Sequence, residues 1–271
     1  MSTHWALEFK PAWLFVPGDR PDRYTKAAER SDIVILDLED AVNEADKAAA
    51  RESVVDFPLD PTRTVVRVNS HDSGHLGEDL KMLARTEYTA VMLPKAELAA
   101  DLSILSGFQV IALIETALGA VNVAEIAAAP NVFALMWGSE DLIADLGGGS
   151  SRKDDGDYRD VAKHVRSQTL LAARAYRKFA LDSIWADIPN LEGLAAEAED
   201  AVQSGFSGKV SIHPNHVPVV RDAFRPSDEQ LKWAQSVLDL AKTEKGAFSF
   251  EGKMIDAPLL KHAELIVARA S

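Results

Sequence analysis

Short apolar runs, each closed by polar or turn-forming residues, recur along the chain and predict buried strands. Eight such runs are visible. They are WLFVPG from Trp13, DIVILDLED from Asp32, TVVRVN from Thr64, YTAVMLPK from Tyr88, VIALIET from Val110, VFALMWGSED from Val132, LDSIWAD from Leu181 and KVSIHP from Lys209. Each has the length of a strand that is covered on both faces, as the strands of parallel sheets are.

Segments rich in Ala, Glu, Leu and Lys separate these runs and predict helices. The clearest are RPDRYTKAAERS, NEADKAAARESVVD, EDLKMLART, NVAEIAAAP and NLEGLAAEAEDAVQSG. The last of them predicts an N-cap at Asn190 and a C-terminal stop at Gly205. Alternating strands and helices are typical of parallel α/β proteins, and eight such units fit a (β/α)8 TIM barrel better than an open doubly wound sheet. We therefore predict a barrel domain over residues 1–226.

Two segments depart from this alternation. The stretch DLGGGSSRKDDGDYRD, from Asp145 to Asp160, predicts a mobile loop at the site face or, alternatively, an exposed connector without a role. Residues 227–271 lie beyond the eighth strand and predict a helix, the stretch GAFSFEGKMIDAPLL and a final helix ending near Ala270. We expect this extension to act as a lid or a subunit contact.

Composition narrows the class of protein. The 271 residues are 47% hydrophobic and 26% charged, which is typical of a globular enzyme. Lys and Arg number 29 and Asp and Glu 42, so the formal net charge of −13 argues against nucleic-acid binding. The absence of Cys excludes disulfides, zinc–thiolate sites and a Cys nucleophile. Residues 1–10 do not resemble a signal peptide and no run is long enough to span a bilayer, so we expect no membrane partner and a cytoplasmic location.

Polar side chains close seven of the eight runs. They are Asp37, Glu39 and Asp40, then Arg67 and Asn69, then Lys95, Glu115, Glu140 and Asp141, Asp187 and His213. One polar strand end only shows that the strand meets solvent. In a TIM barrel, however, the carboxyl ends of all strands meet at one face, where active sites lie. The set therefore predicts a site at the barrel mouth.

Side chains alternate along a strand, which predicts the ones that share the mouth. On this rule Asp37 and Glu39 continue the face of Ile33 and Ile35, Arg67 and Asn69 share a face, and Glu115 continues the face of Ile111 and Leu113. Several carboxylates would then crowd around one arginine and raise one another's pKa. A divalent cation relieves that repulsion, and oxygen ligands without a His–Cys set favour Mg²⁺.

Glu115 and the pair Glu140–Asp141 are the best metal ligands in this pattern. Neighbours on a strand face opposite ways, so we expect only one of the pair to reach the ion. We favour Asp141 because it opens the following loop. Glu140 would then be a hydrogen-bonding support or part of the first helical turn.

Three other residues could take part in the chemistry. Lys95 could form a Schiff base if it is desolvated, but a lysine paired with a carboxylate at the rim is the favoured interpretation. Arg20 and Arg23 could bind an anionic group such as a phosphate, although the PGDRP stretch also suits the start of a helix. His213 could be an acid or base, and a structural role is the alternative.

The motifs together resemble a known family. LFVPGDRPDRYTKA, ILDLEDAV, VVRVN, VMLPKAE, LIETALGA, WGSEDLIADLG, SIHPNHVPVV and EGKMIDAP resemble the citrate lyase β-subunit-like family of the aldolase/citrate lyase superfamily. Malyl-CoA and citramalyl-CoA lyases belong to the same superfamily. The match runs in order from Trp13 to the C-terminus and is most similar to stand-alone, actinobacterial-type members.

The resemblance implies a TIM barrel and a set of site residues. It implies that Glu115 and Asp141 bind Mg²⁺ and that Arg67 contacts the keto-acid half of the substrate as a catalytic residue. It also implies that Glu39 and Asp40 surround the water ligands of the metal.

The remaining implied contacts concern the substrate and a neighbouring subunit. Arg20 resembles a position that contacts CoA, and Trp137 and Gly138 of the WGSED motif are expected in the substrate site, next to Glu115. Asp256 of the GKMID motif resembles an acid/base that a neighbouring subunit supplies, so a homotrimer is implied.

The function that the resemblance implies is a Mg²⁺-dependent lyase. It would cleave a 3-hydroxyacyl-CoA thioester of the malyl, citramalyl or hydroxymethylglutaryl type into acetyl-CoA or a homologue and a keto acid, with thioesterase activity if hydrolysis intervenes. The loop 147–158 departs from the citrate lyase pattern, which argues against citrate itself. Alternatives are a β subunit of citrate lyase that is active only with partner subunits, a class I aldolase that uses Lys95, and a CoA-thioester-binding scaffold.

Overall fold

Eight parallel strands close into a barrel in chain order in the computed structural model, which describes residues 10–244 and 246–270. The strands are β1 Ala12–Pro17, β2 Ile33–Asp37, β3 Thr64–Arg67, β4 Ala90–Leu93, β5 Gln109–Ile114, β6 Val132–Trp137, β7 Phe179–Asp182 and β8 Gly208–Ser211. Each overlaps one predicted run, and β8 pairs with β1 to close the barrel. The predicted TIM barrel is therefore confirmed. Residues 1–9, where no signal peptide is predicted, lie outside the described part.

Helices surround the barrel. They are α1 Tyr24–Arg30, α2 Lys47–Asp56, α3 Leu76–Leu83, α4 Ala117–Val121, α5 Val123–Ala128, α6 Ser139–Asp145, α7 Asp160–Ala175, α8 Leu191–Ser204, α9 His216–Phe224, α10 Asp228–Leu240 and α11 Ala257–Ala270. Short 3-10 helices cover Pro21–Arg23, Glu44–Asp46 and Asp101–Leu105. The predicted ends of α8 are confirmed: the Asn190 side chain accepts a bond from the Gly193 N–H, and Gly205 ends the helix in the left-handed region at φ 104°.

The strands bury side chains on both faces, which explains their nearly continuous apolar runs. In β2, Ile33 and Ile35 pack inside the barrel, whereas Val34 and Leu36 pack outward against the helices. Each such side chain contributes roughly 1.5–3 kcal/mol on full burial. The same alternation fixes which polar residues at the strand ends face the interior.

The extension after the barrel has a small core of its own. α10, α11 and a hairpin of β9 Phe248–Phe250 and β10 Lys253–Ile255 surround a cluster that includes Val237, Ile255 and Ile266. The sequence predicted both helices and missed the hairpin, because its strands have three residues each and only Ile255 among their side chains is buried. The role of this segment as a lid or subunit contact stays a prediction.

The Gly-rich loop between α6 and α7 is tied down in its second half. Arg152 forms an ion pair with Glu197 of α8 at 2.6 Å, and its guanidinium lies 3.7 Å from the ring centre of Tyr158. Arg152 and Tyr158 also form an isolated β-bridge. These contacts hold both ends of the turn 152–158, and the mobility of the loop stays a prediction. Over the described ranges, none of the helices combines the length and apolar content needed to cross a membrane.

Candidate functional site

A cavity of about 360 Å³ opens at the carboxyl ends of the barrel strands. It is lined by Phe15, Pro17, Asp37, Asp40, Ala41, Arg67, Leu113, Glu115, Met136, Gly138, Ser139, Glu140, Asp141, Ser183, Ile184 and Ile212. We call one charged group at this face the mouth cluster. It comprises Asp37, Glu39, Asp40, Arg67, Lys95, Glu115 and Asp141.

Arg67, at the end of β3, lies at the centre of the mouth cluster. Its Nε and Nη2 donate to the two carboxylate oxygens of Asp37 at 2.7 and 2.6 Å. Its Nη1 lies 3.0 Å from Glu39 Oε2, and its guanidinium lies over the Phe15 ring at 4.7 Å. Burial alone would lower the pKa of Arg67, but the Asp37 and Glu39 carboxylates outweigh burial and raise it. Arg67 is therefore a permanent, fixed cation at the cavity wall.

Lys95 is engaged with a carboxylate, as the favoured interpretation predicts. Its ammonium donates to Glu39 Oε1 at 2.5 Å and lies 3.9 Å from Asp40 Oδ2. Burial lowers the pKa of Lys95, but the hydrogen bond and charge of Glu39 outweigh it and raise the pKa above the ordinary value. A Schiff-base lysine needs a lowered pKa, so this placement argues against a class I aldolase.

Glu115 is the most strongly perturbed acid of the mouth cluster. It is 2% exposed, and its Oε1 accepts a bond from the Lys95 backbone N–H at 3.0 Å. Burial, reinforced by the nearby Asp141 carboxylate, raises the pKa of Glu115 to about 8. Gly138 leaves the room that this carboxylate occupies, because a Cβ there would lie 2.7 Å from Glu115 Oε2.

Glu140 and Asp141 lie in the first turn of α6, not on β6. The expectation that they face opposite sides of a strand is therefore wrong, because β6 ends at Trp137, and both residues line the cavity. Glu140 Oε1 accepts bonds from the hydroxyls of Ser139 and Ser151, at 3.0 and 2.6 Å. Asp141 has no such partner within the described ranges, so it is the freer of the two carboxylates.

Two acids, Glu115 and Asp141, thus face the cavity without a paired cation among the residues that the structure covers. In the same ranges, the structure brings together no group of three or more His, Cys, Asp or Glu side chains able to hold a metal. Mg²⁺ keeps several waters and is commonly held by one or two carboxylates. Burial is the main cause of the raised pKa of Glu115, and the Asp141 carboxylate adds to it, so the two acids repel each other when both are charged. This donor set fits Mg²⁺ and does not suit an ion that requires a full protein cage.

Other predicted site residues lie away from the cavity. Arg20 forms an ion pair with Asp22 at 2.9 Å, and its side chain is 42% exposed. Asp256 caps the start of α11, where its carbonyl accepts from the Leu260 N–H at 2.9 Å. Neither residue lines the cavity within the described chain.

The side chain of Trp137, which is predicted in the substrate site, points away from the cavity. Trp137 is fully buried, and its indole N–H donates to Asp182 Oδ1 at 2.7 Å on the outer side of the barrel. The reason is the alternation along β6, because Met136 faces the interior and Trp137 therefore points outward. Gly138, the other residue predicted beside it, does line the cavity.

Three of the polar residues predicted at strand ends form hydrogen bonds outside the cavity. The Asn69 side chain donates to Asp79 at 2.8 Å, and His213 Nδ1 accepts from the Asn215 N–H at 3.2 Å. The backbone carbonyl of Asp187 accepts from the indole of Trp185. The structural interpretation of His213 therefore fits its placement.

A second charged group is present in the structure and was not predicted from the sequence. We call it the wall cluster: Asp182, Lys209, Glu197, Arg166 and Arg152, between the barrel wall and helices α7 and α8. The fully buried Lys209 donates to Asp182 Oδ2 at 3.1 Å and to Glu197 Oε1 at 2.8 Å. Arg166 Nε donates to Asp182 Oδ1 at 2.9 Å. The signal was a lysine and an aspartate inside otherwise apolar strand runs, since buried charges require partners.

Comparison with known proteins agrees with this architecture. The model of the HpcH/HpaI aldolase/citrate lyase family matches residues 12–214. The citrate lyase subunit beta-like protein of Mycobacterium tuberculosis is 57% identical over 260 residues, covering 96% of this chain and 95% of that protein. The mitochondrial citramalyl-CoA lyase of Homo sapiens is 32% identical over 304 residues, covering 100% of this chain and 88% of that protein.

A solved structure extends the similarity to three dimensions. CitE from Mycobacterium tuberculosis, crystallised in complex with magnesium, acetoacetate and coenzyme A, superposes with a TM-score of 0.92 at 57% identity. The match covers 97% of this chain and 99% of that one. The resemblance predicted from the motifs is therefore confirmed, and the chain belongs to the HpcH/HpaI aldolase/citrate lyase family.

Proposed function

We propose that this protein is a Mg²⁺-dependent carbon–carbon lyase that cleaves a 3-hydroxyacyl-CoA thioester into acetyl-CoA or a homologue and a keto acid. The observation that carries the proposal is the cavity in which Glu115 and Asp141 face Arg67. It combines carboxylates that lack a cation with a fixed positive charge that can hold an anionic substrate.

Glu115 and Asp141 would hold the metal. Both line the cavity, and their mutual repulsion is the kind that a divalent cation relieves. When bound, Mg²⁺ supplies Lewis-acid stabilisation of negative charge on a substrate oxygen.

Arg67 would bind the carboxylate or carbonyl oxygen of the keto-acid half. Its position is set by the two bonds to Asp37, so it need not reorganise as charge develops on the substrate. Glu39 and Asp40 would accept bonds from water at the rim, with Lys95 balancing part of their charge.

The proton transfer requires a further group. Cleavage breaks the bond between C2 and C3, the C3 hydroxyl loses its proton and becomes a carbonyl, and the thioester enolate takes up a proton at C2. Asp256 is our proposed acid/base. Since Asp256 lies in the extension and away from this chain's cavity, the proposal places it over the cavity of a neighbouring copy in a homotrimer, with residues 227–271 as the lid.

Arg20, in the loop that follows the first strand, would contact the CoA moiety.

The relatives support the same chemical class. One is a citramalyl-CoA lyase, and another was crystallised with magnesium, acetoacetate and coenzyme A. Malyl, citramalyl and hydroxymethylglutaryl groups differ by a methyl or methylene, which is worth only about 1–3 kcal/mol of discrimination in a pocket. The proposal therefore names the thioester class and not the acyl group.

A mass-spectrometric assay tests the proposal. The purified full-length protein would be incubated with a panel of 3-hydroxyacyl-CoA thioesters, with Mg²⁺ and separately with EDTA. We expect Mg²⁺-dependent release of acetyl-CoA or propionyl-CoA together with a keto acid. Release of CoA without a keto acid would show a thioesterase. No turnover of any thioester would contradict the proposal and favour a β subunit that needs partner subunits. Light scattering on the same sample tests the trimer.

A further inference from the structure

We propose that Ser183 is a substrate-contacting residue whose hydroxyl donates a hydrogen bond to a carbonyl or carboxylate oxygen of the acyl ligand held by Arg67, Glu115 and Asp141. This inference rests on the proposed function and adds a contact on the opposite wall of the cavity.

The alternation of β7 points Ser183 into the cavity. Leu181 packs inside the barrel, Asp182 points outward into the wall cluster, and Ser183 therefore faces inward again. Ser183 is 1% exposed and lines the cavity.

Lys209 holds the backbone of Ser183 in place. The buried ammonium of Lys209 donates to the Ser183 carbonyl at 2.6 Å, while two further bonds tie it to Asp182 and Glu197. The backbone carbonyl thus has a partner, whereas the Ser183 Oγ has none among the described residues. A buried hydroxyl without a partner is uncommon in native proteins and calls for a ligand or an ordered water.

The position of Ser183 in the barrel defines the part of a ligand that it would meet. In a closed barrel of eight strands, β7 lies opposite β3, so Ser183 faces Arg67 across the cavity. Its neighbours in the lining are the apolar side chains of Met136, Ile184 and Ile212. Ser183 therefore offers a polar contact to the end of the ligand that lies away from Arg67. That end carries an oxygen of either the keto-acid half or the thioester half.

Ser211 provides a matched control. It is also a serine at a strand end, it is 1% exposed, and its Oγ likewise lacks a partner in the described chain. Val210 packs inside the barrel, so Ser211 points outward and does not line the cavity. A serine-to-alanine change at either position removes one hydroxyl and leaves no polar group unpaired.

Calorimetric titration of the full-length protein tests the contact. Wild type, Ser183→Ala and Ser211→Ala would each be titrated with pyruvate and with oxaloacetate in saturating Mg²⁺, and separately with acetyl-CoA. We expect Ser183→Ala to weaken at least one ligand by about 3- to 10-fold, the contribution of one hydrogen bond. We also expect unchanged Mg²⁺ affinity, because neither proposed metal ligand is altered. Ser211→Ala should match wild type within twofold.

The outcomes separate the possible failures. A loss confined to the keto acids assigns the hydroxyl to that half, and a loss confined to acetyl-CoA assigns it to the thioester half. If wild type binds and Ser183→Ala is indistinguishable from Ser211→Ala, the contact is overturned while the proposed function stands. If wild type binds none of the three ligands, the proposed function and this contact both fail.

Discussion

The mouth cluster and the wall cluster both include residues of barrel strands and use the same residue types, but they balance charge differently. In the wall cluster, Asp182 receives bonds from Lys209, Arg166 and the Trp137 indole. Burial by itself would raise the pKa of Asp182, but the charges of Lys209 and Arg166 outweigh it and hold the pKa at about 2. Because these three donors already bond to its two oxygens, the Asp182 carboxylate is not free to bind a ligand.

The mouth cluster holds five carboxylates and two cations, Arg67 and Lys95. Arg67 and Lys95 form ion pairs with Asp37 and Glu39. Glu115 and Asp141 are left without a paired cation among the described residues, and the pKa of Glu115 is raised to about 8. The two clusters thus differ in whether the protein itself supplies a cation for each buried carboxylate. The completed cluster stabilises the wall, and the incomplete one is the place where a cation and an anionic substrate can bind.

Breaking the wall cluster should cost the most. Lys209→Ala removes the buried cation that the buried Asp182 and the partly buried Glu197 share, so we expect the free energy of unfolding to fall by about 3–5 kcal/mol in urea denaturation. The exposed Lys242, paired with Asp239, is the control, and Lys242→Ala should change stability by less than about 0.5 kcal/mol. Equal effects of the two changes would show that the wall cluster is not a structural unit.

Changing the mouth cluster should leave the fold intact and remove activity. We expect Glu115→Gln to lower the lyase rate at least about 100-fold, since it removes a proposed metal ligand. Glu140→Gln is the matched control and should stay within about threefold, because Glu140 bonds to Ser139 and Ser151 instead. Equal losses in both variants would contradict the assignment of the two acids.

The raised pKa of Glu115 predicts an unusual pH dependence of stability without Mg²⁺. The folded state holds this proton up to about pH 8, whereas the unfolded chain loses it near pH 4.3. Stability from this group is therefore full below pH 4.3 and is lost progressively as the pH rises to 8. Denaturation at pH 5 and pH 8 in EDTA should show a smaller difference between the two pH values for Glu115→Gln than for wild type. An identical pH dependence would contradict the prediction.

A smaller effect is expected from crowding the metal site. In Gly138→Ala the new Cβ would lie 2.7 Å from Glu115 Oε2, so the carboxylate must shift and Mg²⁺ affinity should fall about tenfold. Gly138 has φ −119°, which any residue adopts, so space alone is tested. Gly149→Ala is the control, because nothing lies within 4 Å of a Cβ there. A loss of affinity in both variants would argue against the close approach.

The eight strands and their inward faces could be predicted from the sequence because each strand is buried on both sides. The inward placement of Asp37, Arg67 and Glu115 followed from a period of two. The same rule turns Trp137 of β6 outward, because Met136 faces the interior. The rule failed at Glu140 and Asp141, because the apolar pattern does not show that β6 ends at Trp137 and α6 begins at Ser139.

Tertiary pairing was beyond the sequence pattern. The partnership of Lys209 with Asp182 and Glu197 joins two strands and a helix that are far apart in the chain. The hairpin in the extension has too few buried residues to produce a signal. The place of Asp256 over a cavity depends on a neighbouring copy, which no property of one chain's sequence displays.

Titration of Mg²⁺ into the metal-free protein, followed by calorimetry, tests most directly the claim that the mouth cluster is completed by a cation. We predict one site in wild type and its loss in both Glu115→Gln and Asp141→Asn, with binding unchanged in Glu140→Gln. Equal Mg²⁺ binding in all four proteins would contradict the account.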